Sequence, residues 1–280
     1  MKAFPFFFLL CVTCFILSCK QQQSADIKTV LFDCDEKTVP FDYDEKMLKL
    51  MIFKGTLNDS ISLNVMFDTG GNSNHILLSD SLAGLLADTM VNLQIGVYKS
   101  SVPIFAIDRN NHAFRYFDAI IGWQFFKDKI IEISYQHKYI RELDTIPVST
   151  DFFPIKMEAI NKVRIPIKIF VQGKCIEEDF SIDTGFNGDI MLGKYFLDKN
   201  KIDLTGAYIG ASQTIAGPLS GGSIPGDSIE LGKFVLPETR IGFSTTNVGM
   251  HNRLVGNKVF EHFTVILDLK NFYLYLKPNE

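Results

Sequence analysis

Two aspartates in this chain of 280 residues follow apolar runs and precede the same two residues. One copy of the motif spans Phe67–Gly70 and reads FDTG, and the other spans Ile182–Gly185 and reads IDTG. An apolar strand that ends in a glycine turn delivers a carboxylate to a partly buried loop, where its pKa is easily shifted. Two such loops predict that the carboxylates of Asp68 and Asp183 face each other across a pseudo-twofold axis.

Two carboxylates around one water molecule provide a mechanism for hydrolysis. Like charges a few ångströms apart do not both ionise easily, so such a pair keeps one proton over a wide pH range and titrates as a unit. The ionised member takes a proton from the water, and the protonated member polarises the carbonyl under attack. The pattern therefore predicts hydrolysis by Asp68 and Asp183 without a metal or a covalent intermediate. It does not assign the acid and base roles individually.

The duplication extends beyond the aspartates. Upstream of each lies an apolar run, a glycine turn and a second run, over residues 49–67 and 165–182, which places the first turn at Gly55. Downstream, Ile120–Gly122 (IIG) matches Leu254–Gly256 (LVG). The aspartates are 115 positions apart and the glycines that end these tripeptides are 134 apart, so the second copy has 19 additional residues between its Asp and its Gly.

These motif pairs resemble those of the pepsin and retropepsin-like aspartic peptidases, in which a hydrophobic residue precedes Asp-Thr-Gly and two hydrophobic residues precede a later Gly. The resemblance covers about residues 45–280, and two complete motif sets in register make it specific. It implies a bacterial single-chain form with two retropepsin-like units. The expected fold is all-β and bilobal, with two pseudo-dyad-related, β-barrel-like lobes.

The resemblance also implies roles for the residues beside the aspartates. Thr69 and Thr184 are expected to hydrogen-bond across to the opposite loop and to hold the two carboxylates coplanar. Gly70 and Gly185 are expected to let the two backbones approach each other.

Two residues depart from the family pattern, in which Ala, Ser or Thr usually follows the tripeptide. Gly71 occupies this position in the first copy and Phe186 in the second. Glycine makes the first loop less rigid, whereas Phe186 is expected to narrow the cleft or to occupy a subsite. Ile121 and Val255 are also expected to contact substrate.

The additional residues of the second copy are interpreted as a flap, the mobile hairpin that closes over substrate in the family. The flap is predicted at about 207–227, with Thr214, Ala216 and Gly217 contacting substrate. The corresponding part of the first copy, around 86–94, has no room for a long hairpin. The alternative interpretation is a disordered surface insertion.

Short β-branched and aromatic runs separated by turns predict the secondary structure. The predicted strands are Leu48–Phe53, Ile61–Phe67, Val91–Gly96, Val102–Ile107, Ile130–Ser134, Val163–Val171 and Phe272–Leu276. The predicted helical segments are Ser79–Ala87, Gly193–Asn200 and single turns after Gly122 and Gly256. Two lobes, 45–145 and 155–280, are expected on either side of a linker at 146–154, where Pro147 and Pro154 interrupt the strand pattern.

The N-terminus predicts export. Residues 1–18 have the charge and the apolar length of a signal peptide, and their ILSC ending resembles a bacterial lipobox with Cys19 as the acylated residue. Residues 19–44 are then a polar tether, and Thr29–Phe32 is a possible edge strand. This places the protein in the bacterial cell envelope, lipid-anchored, and facing the periplasm or exposed at the surface. The alternatives are an uncleaved anchor and a plain signal peptide with an incidental cysteine.

Composition excludes several other functions. A net charge of −4 gives no electrostatic reason to bind nucleic acid. The five histidines never pair at zinc-binding spacing, so no metal site is expected. We also expect no cofactor and a monomeric protein. Cys34 and Cys175 either form one disulfide or are two separately buried residues, and the strand pattern around Cys175 favours burial.

The function predicted from the sequence is therefore that of an aspartic endopeptidase acting on a peptide or protein substrate. The alternative is a catalytically silent envelope lipoprotein that keeps the fold to bind an extended peptide. Retention of both Asp-Thr-Gly sequences favours catalysis, because a protein that only binds peptides has no need of paired carboxylates.

Overall fold

The computed structural model describes residues 37–280 apart from 45, 47, 72–74, 87, 109, 160, 216 and 247–250, with only the backbone described for 112, 113 and 213. The predicted signal peptide, Cys19, the Thr29–Phe32 run, Cys34 and Ala216 lie outside the described residues. Within the described part, no helix has the length and apolar character needed to cross a membrane.

The described chain consists mainly of β-strands, which confirms the all-β prediction. The strands are β1 (Thr38–Pro40), β2 (Ile52–Leu57), β3 (Ile61–Asp68), β4 (Ile76–Ser79), β5 (Met90–Ile95), β6 (Tyr98–Ile107), β7 (Ala119–Gly122), β8 (Ile130–Ser134), β9 (Tyr139–Glu142), β10 (Phe153–Lys156), β11 (Glu158–Ala159), β12 (Val163–Val171), β13 (Lys174–Ile182), β14 (Ile190–Leu192), β15 (Tyr208–Thr214), β16 (Gly217–Pro225), β17 (Ser228–Leu231), β18 (Phe234–Pro237), β19 (Arg240–Ser244), β20 (Arg253–Val255), β21 (Phe263–Asp268) and β22 (Tyr273–Pro278). The helical segments are α1 (Asp80–Ala83), α2 (Lys194–Lys199), α3 (Asn257–Phe260) and two 3₁₀ turns, His112–Arg115 and Trp123–Phe126.

In the first half of the chain, here residues 37–145, six strands close into a barrel in the order β2-β3-β7-β4-β6-β5. The hairpins β2-β3 and β5-β6 are antiparallel, and β7 lies between β3, to which it is parallel, and β4, to which it is antiparallel. Side chains alternate between the faces of a strand, so Phe53 and Leu57 enter the barrel while Lys54 faces solvent. The barrel core fixes where β3 ends, and with it the position of Asp68.

The second half, residues 153–280, repeats the order of these strands. Strands β12, β13, β20 and β14 take the places of β2, β3, β7 and β4. The equivalent of β6 is split into β18 and β19 at Glu238, which has a φ of 54°. Strand β19 pairs with β14 and with β16, so the second half is part of a ten-stranded sheet. The second half therefore has the barrel-like strand arrangement of the first, with the strand equivalent to β6 divided in two.

A six-stranded sheet, β1-β9-β8-β21-β22-β10, joins the two halves. At its centre β8 and β21 are antiparallel, with Glu132 opposite Ile266 and Ile130 opposite Asp268. Glu132 and Ile266 are 134 positions apart, the same interval that separates Gly122 from Gly256. The pseudo-twofold axis therefore passes between Glu132 and Ile266, and the chain duplication extends through this sheet.

The two edge strands of this sheet were not among the predicted strands. One is Thr38–Pro40, which pairs with β9 of the first half, and the Thr29–Phe32 prediction stays untested because it lies outside the described residues. Pro154 lies within β10 and not in a linker. Proline lacks the N–H of a strand residue, and β10 tolerates it because it is an edge strand with one hydrogen-bonded neighbour.

The first predicted strand is shifted along the chain. Gly55 is an internal residue of β2, and the turn occurs at Asn58–Ser60, where Asn58 and Asp59 have φ values of 50° and 58°. A Cβ on Gly55 would lie 2.9 Å from Cγ2 of Val65, so the glycine is required by close strand packing and not by a turn.

Three shorter predictions have mixed outcomes. The helix predicted at Ser79–Ala87 is a single turn, Asp80–Ala83, with Ser79 as its N-cap. The helix at 193–200 and the turns after Gly122 and Gly256 are confirmed. The prediction that Cys175 is buried is wrong, because it is exposed on β13 and has no disulfide to a described residue.

Candidate active site

Strands β3 and β13 deliver Asp68 and Asp183 to equivalent positions. Asp68 is the last residue of β3, which runs parallel to β7 with Asp68 opposite Gly122. Strand β13 ends at Ile182 opposite Val255 of the parallel strand β20, and the backbone N–H of Asp183 donates to the carbonyl of Val255 at 2.9 Å. Each aspartate therefore emerges from the middle of a sheet into a loop.

The two loops are joined by reciprocal hydrogen bonds of buried threonines. Thr69 Oγ1 donates to the carbonyl of Ile182 at 2.8 Å and accepts from the N–H of Thr184 at 3.0 Å. Thr184 Oγ1 donates to the carbonyl of Phe67 at 2.7 Å and accepts from the N–H of Thr69 at 3.0 Å. These bonds across the pseudo-twofold axis are those expected of the two threonines from the sequence.

Each carboxylate lies against the glycine of the opposite loop. A Cβ on Gly70 would overlap the carboxylate of Asp183, and a Cβ on Gly185 would lie 2.7 Å from Cγ of Asp68. Asp68 Oδ1 accepts from the N–H of Gly71 at 2.9 Å, and Asp183 Oδ1 accepts from the N–H of Gly185 at 3.0 Å. Glycine is required at 70 and 185 because no side chain fits between the loops.

Burial raises the pKa of both carboxyl groups. At Asp68, hydrogen bonds from the loop backbone and from Asp183 partly oppose the effect of burial. At Asp183 the negative charge of Asp68 adds to burial, and its pKa is raised well above the usual range. The two groups titrate as a coupled pair, and the direction of the shift favours a dyad that retains a proton.

Lys162 is a cation near this pair that the sequence analysis did not identify. Its positive charge opposes the burial effect on the pKa of both Asp68 and Asp183. Lys162 lies in the bend just before β12, whose pairing with β13 begins at Arg164 opposite Ser181, two residues before Asp183. The half-buried Lys162 has no salt bridge among the described residues.

Asn257, which supports the Thr184 loop, is a second residue that was not predicted from the sequence. Its side chain is fully buried and donates to the carbonyl of Thr184 at 2.8 Å and to that of Lys49 at 2.6 Å. Asn257 Oδ1 accepts from the hydroxyl of Tyr135 at 2.8 Å. Burial raises the pKa of that hydroxyl, so it remains a hydrogen-bond donor. An asparagine at the start of a helix resembles an ordinary cap, so nothing local in the sequence distinguished it.

The predicted flap segment forms a hairpin of β15 and β16, with Thr214 opposite Gly217. Thr214 Oγ1 donates to the carbonyl of Gly217 at 2.8 Å, which closes the tip. Ile215 at the tip packs against a first-half cluster, and its carbonyl accepts from Asn111 Nδ2 at 2.8 Å. We call this the tip cluster: Met66, Phe117 and Ile120, with Leu50, Ile52, Leu77 and Phe114 packed on it.

Two cavities lie beside the aspartate loops, one in each half. The second-half cavity, about 260 Å³, is lined by Phe186 and by residues of β15, β16 and β19. The first-half cavity, about 360 Å³, is lined by Ile121 among others. Val255, expected to contact substrate, is fully buried instead. Its side chain lies on the core face of β20 and is part of the hydrophobic core, whereas Leu254 on the opposite face is half-buried.

Among the described residues, no group of three or more His, Cys, Asp or Glu side chains is arranged to hold a metal ion.

Comparison with known proteins leaves the family of the chain open. No family model matches it, and no curated protein matches it. Among solved structures it is similar to a retropepsin-like aspartic protease from Rickettsia conorii, with 22% sequence identity and a TM-score of 0.35. That match covers 45% of this chain and 90% of the other.

Proposed function

We propose that this protein is an aspartic endopeptidase that hydrolyses peptide bonds with a water molecule activated between Asp68 and Asp183. The observation that carries the proposal is the reciprocal bonding of the buried Thr69 and Thr184, which locks two aspartate loops together around half-buried carboxyl groups. Perturbed carboxyl pairs in a cleft are typical of catalytic sites.

The chemistry follows from one shared proton. With one carboxyl ionised and one protonated, the ionised group removes a proton from the water as the oxygen attacks the scissile carbonyl. The protonated group donates a hydrogen bond to the carbonyl oxygen, where negative charge develops. The proton taken from the water is then passed to the leaving nitrogen as the C–N bond breaks and the carbonyl re-forms, which restores a pair with one proton. The threonine hydrogen bonds hold both loops still, so little reorganisation is needed during the reaction.

The direct test replaces each aspartate with asparagine, which has nearly the same shape. Asp68→Asn and Asp183→Asn are each expected to lower kcat/KM on a cleavable peptide at least about a hundredfold, because each removes half of the acid and base pair. Asp144→Asn is the matched control, since Asp144 is exposed and its ion pair is with Lys37. Near-parental turnover by either dyad variant would show that the dyad is not catalytic.

Stability measured against pH tests the pair without relying on activity. A carboxyl group whose pKa is raised by folding costs no stability below its unfolded pKa, and stability is lost as the pH rises through its folded pKa. Asp183→Asn removes this loss, so its melting temperature should equal the parental value at low pH and exceed it at neutral pH. A variant less stable than the parent at neutral pH would contradict the assigned burial of the charge.

The parent protein and the same variants also distinguish catalysis from the alternative function, which is peptide binding without cleavage. If the parent protein binds a statine-type inhibitor or an extended peptide but cuts no peptide of a broad library, the protein is a peptide-binding protein of the same architecture. Cleavage that disappears with Asp68→Asn excludes it.

We further propose that the protein is a lipid-anchored component of the bacterial cell envelope, acylated at Cys19. Intact-mass spectrometry of the purified protein should show a mature N-terminus at Cys19 with added acyl mass, and the protein should partition into detergent. Cys19→Ala should abolish the acyl mass and the partitioning. A mature N-terminus elsewhere without acyl mass would remove this part of the proposal.

A further inference from the structure

The two cavities beside the aspartate loops correspond through the pseudo-twofold axis. In the first half Ile76 pairs with Ile121 and with Ile104, and in the second half Ile190 pairs with Val255 and with Ile241. Residues at the same offset from these pairs therefore occupy equivalent positions in the two cavity walls. This correspondence allows the two walls to be compared residue by residue.

Three equivalent pairs of wall residues differ in charge. The residue before Ile76 is His75 and the residue before Ile190 is Asp189. Pro103 precedes Ile104 in the first half, and Arg240 precedes Ile241 in the second. Gln124 lies two residues after Gly122, and Lys258 lies two residues after Gly256. The first-half wall has no acidic residue, lysine or arginine among its described lining residues, whereas the second-half wall has one acidic and two basic residues.

The single acid of the second-half cavity is already neutralised. The carboxylate of Asp189 accepts from the backbone N–H of Arg240 at 2.9 Å and lies 3.7 Å from Lys258 Nζ, with only 12% of its side chain exposed. The guanidinium of Arg240 donates to Ser223 Oγ at 2.9 Å and forms no ion pair with a described carboxylate. Its remaining N–H groups are therefore free to receive an anion.

Lys162 extends the same asymmetry to the dyad. Residue 50 is its first-half equivalent, because Ile52 pairs with Met66 as Arg164 pairs with Ser181. That equivalent is Leu50, which packs in the tip cluster. The second-half side of the cleft is thus cationic at Lys162, Arg240 and Lys258, and the first-half side is uncharged at all three equivalent positions, Leu50, Pro103 and Gln124.

We propose, building on the endopeptidase function proposed above, that the substrates are polypeptides with an acidic side chain on one side of the scissile bond, held by Arg240 in the second-half cavity. The side chain on the other side of the scissile bond is uncharged and enters the first-half cavity. A guanidinium binds a carboxylate through two parallel hydrogen bonds, which distinguishes it from an amide of the same shape. Lys258 is compensated by Asp189, so Arg240 supplies the net positive charge of the cavity wall, and Lys162 adds a positive potential at the dyad that favours the same substrates.

The test uses a broad library of synthetic peptides and the full chain in mild detergent. Cut sites found by mass spectrometry, minus those found with Asp183→Asn, should be enriched in Asp or Glu on one side only. For the best-cut peptide, replacing its acidic residue with the amide should lower kcat/KM about tenfold or more, the size expected of one charge-assisted contact. Arg240→Gln should bring the two peptides to nearly equal rates.

The matched control is Lys168→Gln, which removes a cation from β12 at Glu230, outside the cavity. It should keep the full preference for the acidic peptide. Cut sites without acidic enrichment, or a preference that survives Arg240→Gln, would overturn the inference while leaving the peptidase function intact.

A binding measurement separates failure of this inference from failure of the proposed function. The same library is captured on immobilised Asp183→Asn protein and on the Asp183→Asn, Arg240→Gln double variant. Acidic enrichment of the captured peptides by the first protein and not by the second supports the inference even if the parent cuts nothing. Equal capture of acidic and amide peptides by both proteins overturns it.

Discussion

The two halves of this chain share their strands and their aspartate loops, but they differ in what surrounds those loops. Both halves contribute an Asp, a Thr and a Gly with matching hydrogen bonds. Among the described residues, only the second half adds the β15-β16 hairpin, the Asn257 side chain, two cations in its cavity wall and Lys162 near the dyad. The duplication is therefore kept in the two aspartate loops, and it has diverged in the elements around them.

The two halves also differ in β6 and its equivalent. In the first half β6 runs unbroken from Tyr98 to Ile107 and closes the barrel. In the second half the equivalent strand is divided at Glu238 into β18 and β19, and β16 of the additional hairpin pairs with the edge of β19 opposite β14.

The largest effect on stability is expected at Thr69 and Thr184, whose hydrogen bonds are the same in the two halves. Thr69→Val and Thr184→Val each leave a buried N–H and a buried carbonyl without a partner, so each should cost about 2–4 kcal/mol of unfolding free energy. The two costs should agree to within about 1 kcal/mol, because the bonds are reciprocal. The double variant should cost less than the sum, since each pair of bonds depends on both loops being in place. Urea titration gives these free energies, provided that the slope of unfolding free energy against urea concentration is unchanged. Clearly unequal costs for the two single variants would show that the two loops are not equivalent.

A smaller effect is expected at a residue that only the second half has. Asn257→Ala removes the partner of Thr184, Lys49 and Tyr135, and we expect a loss of about 2–3 kcal/mol. Tyr135→Phe removes one of these hydrogen bonds and should cost about 1 kcal/mol. Both are measured by urea unfolding. If Asn257→Ala is no more harmful than Tyr135→Phe, the asparagine does not support the Thr184 loop.

The flap hairpin should respond to loss of its contact with the first half. Ile215→Ala removes apolar contact with the tip cluster, at a cost of about 1 kcal/mol for this half-buried side chain. Amide hydrogen exchange across 208–225 should become faster, and a statine-type inhibitor should restore protection. Val235→Ala, at an exposed position in β18, is the control and should leave the exchange unchanged. Unaltered exchange in Ile215→Ala would show that the tip contact does not hold the hairpin down.

The smallest expected effect is a shift in the pH dependence of kcat/KM when Lys162 is replaced. Lys162 counteracts the rise that burial produces in the pKa of both dyad carboxyls, so its removal raises both. Lys162→Met, which makes the position resemble Leu50, should therefore move the acidic and the basic limb of the kcat/KM profile to higher pH. Lys168→Met should leave both limbs in place. Titration of ¹³C-labelled aspartate carboxyls gives the same shift without turnover, and unmoved limbs and resonances would remove Lys162 from the site.

The strands were predicted where the sequence is locally decisive. β8 and β12 have the predicted bounds because each is a β-branched run ended by turn residues. The helix at 193–200 and the turns after Gly122 and Gly256 follow from local patterns as well. Gly55 was assigned to a turn because a glycine in a strand has no local signature. Its cause is contact with Val65 on the neighbouring strand.

The sequence by itself determined the two aspartate loops, the threonines and glycines that support them and the position of the additional hairpin, because each is visible as a repeated motif or a length difference between copies. Tertiary structure decided which side chains meet at those loops. Lys162 comes near the aspartates only because β12 pairs with β13, Ile215 meets the tip cluster at the end of the β15-β16 hairpin, and Val255 is buried because it lies on the core face of β20. Periodicity specifies the face on which a side chain lies, whereas register and strand order specify the partner it meets there.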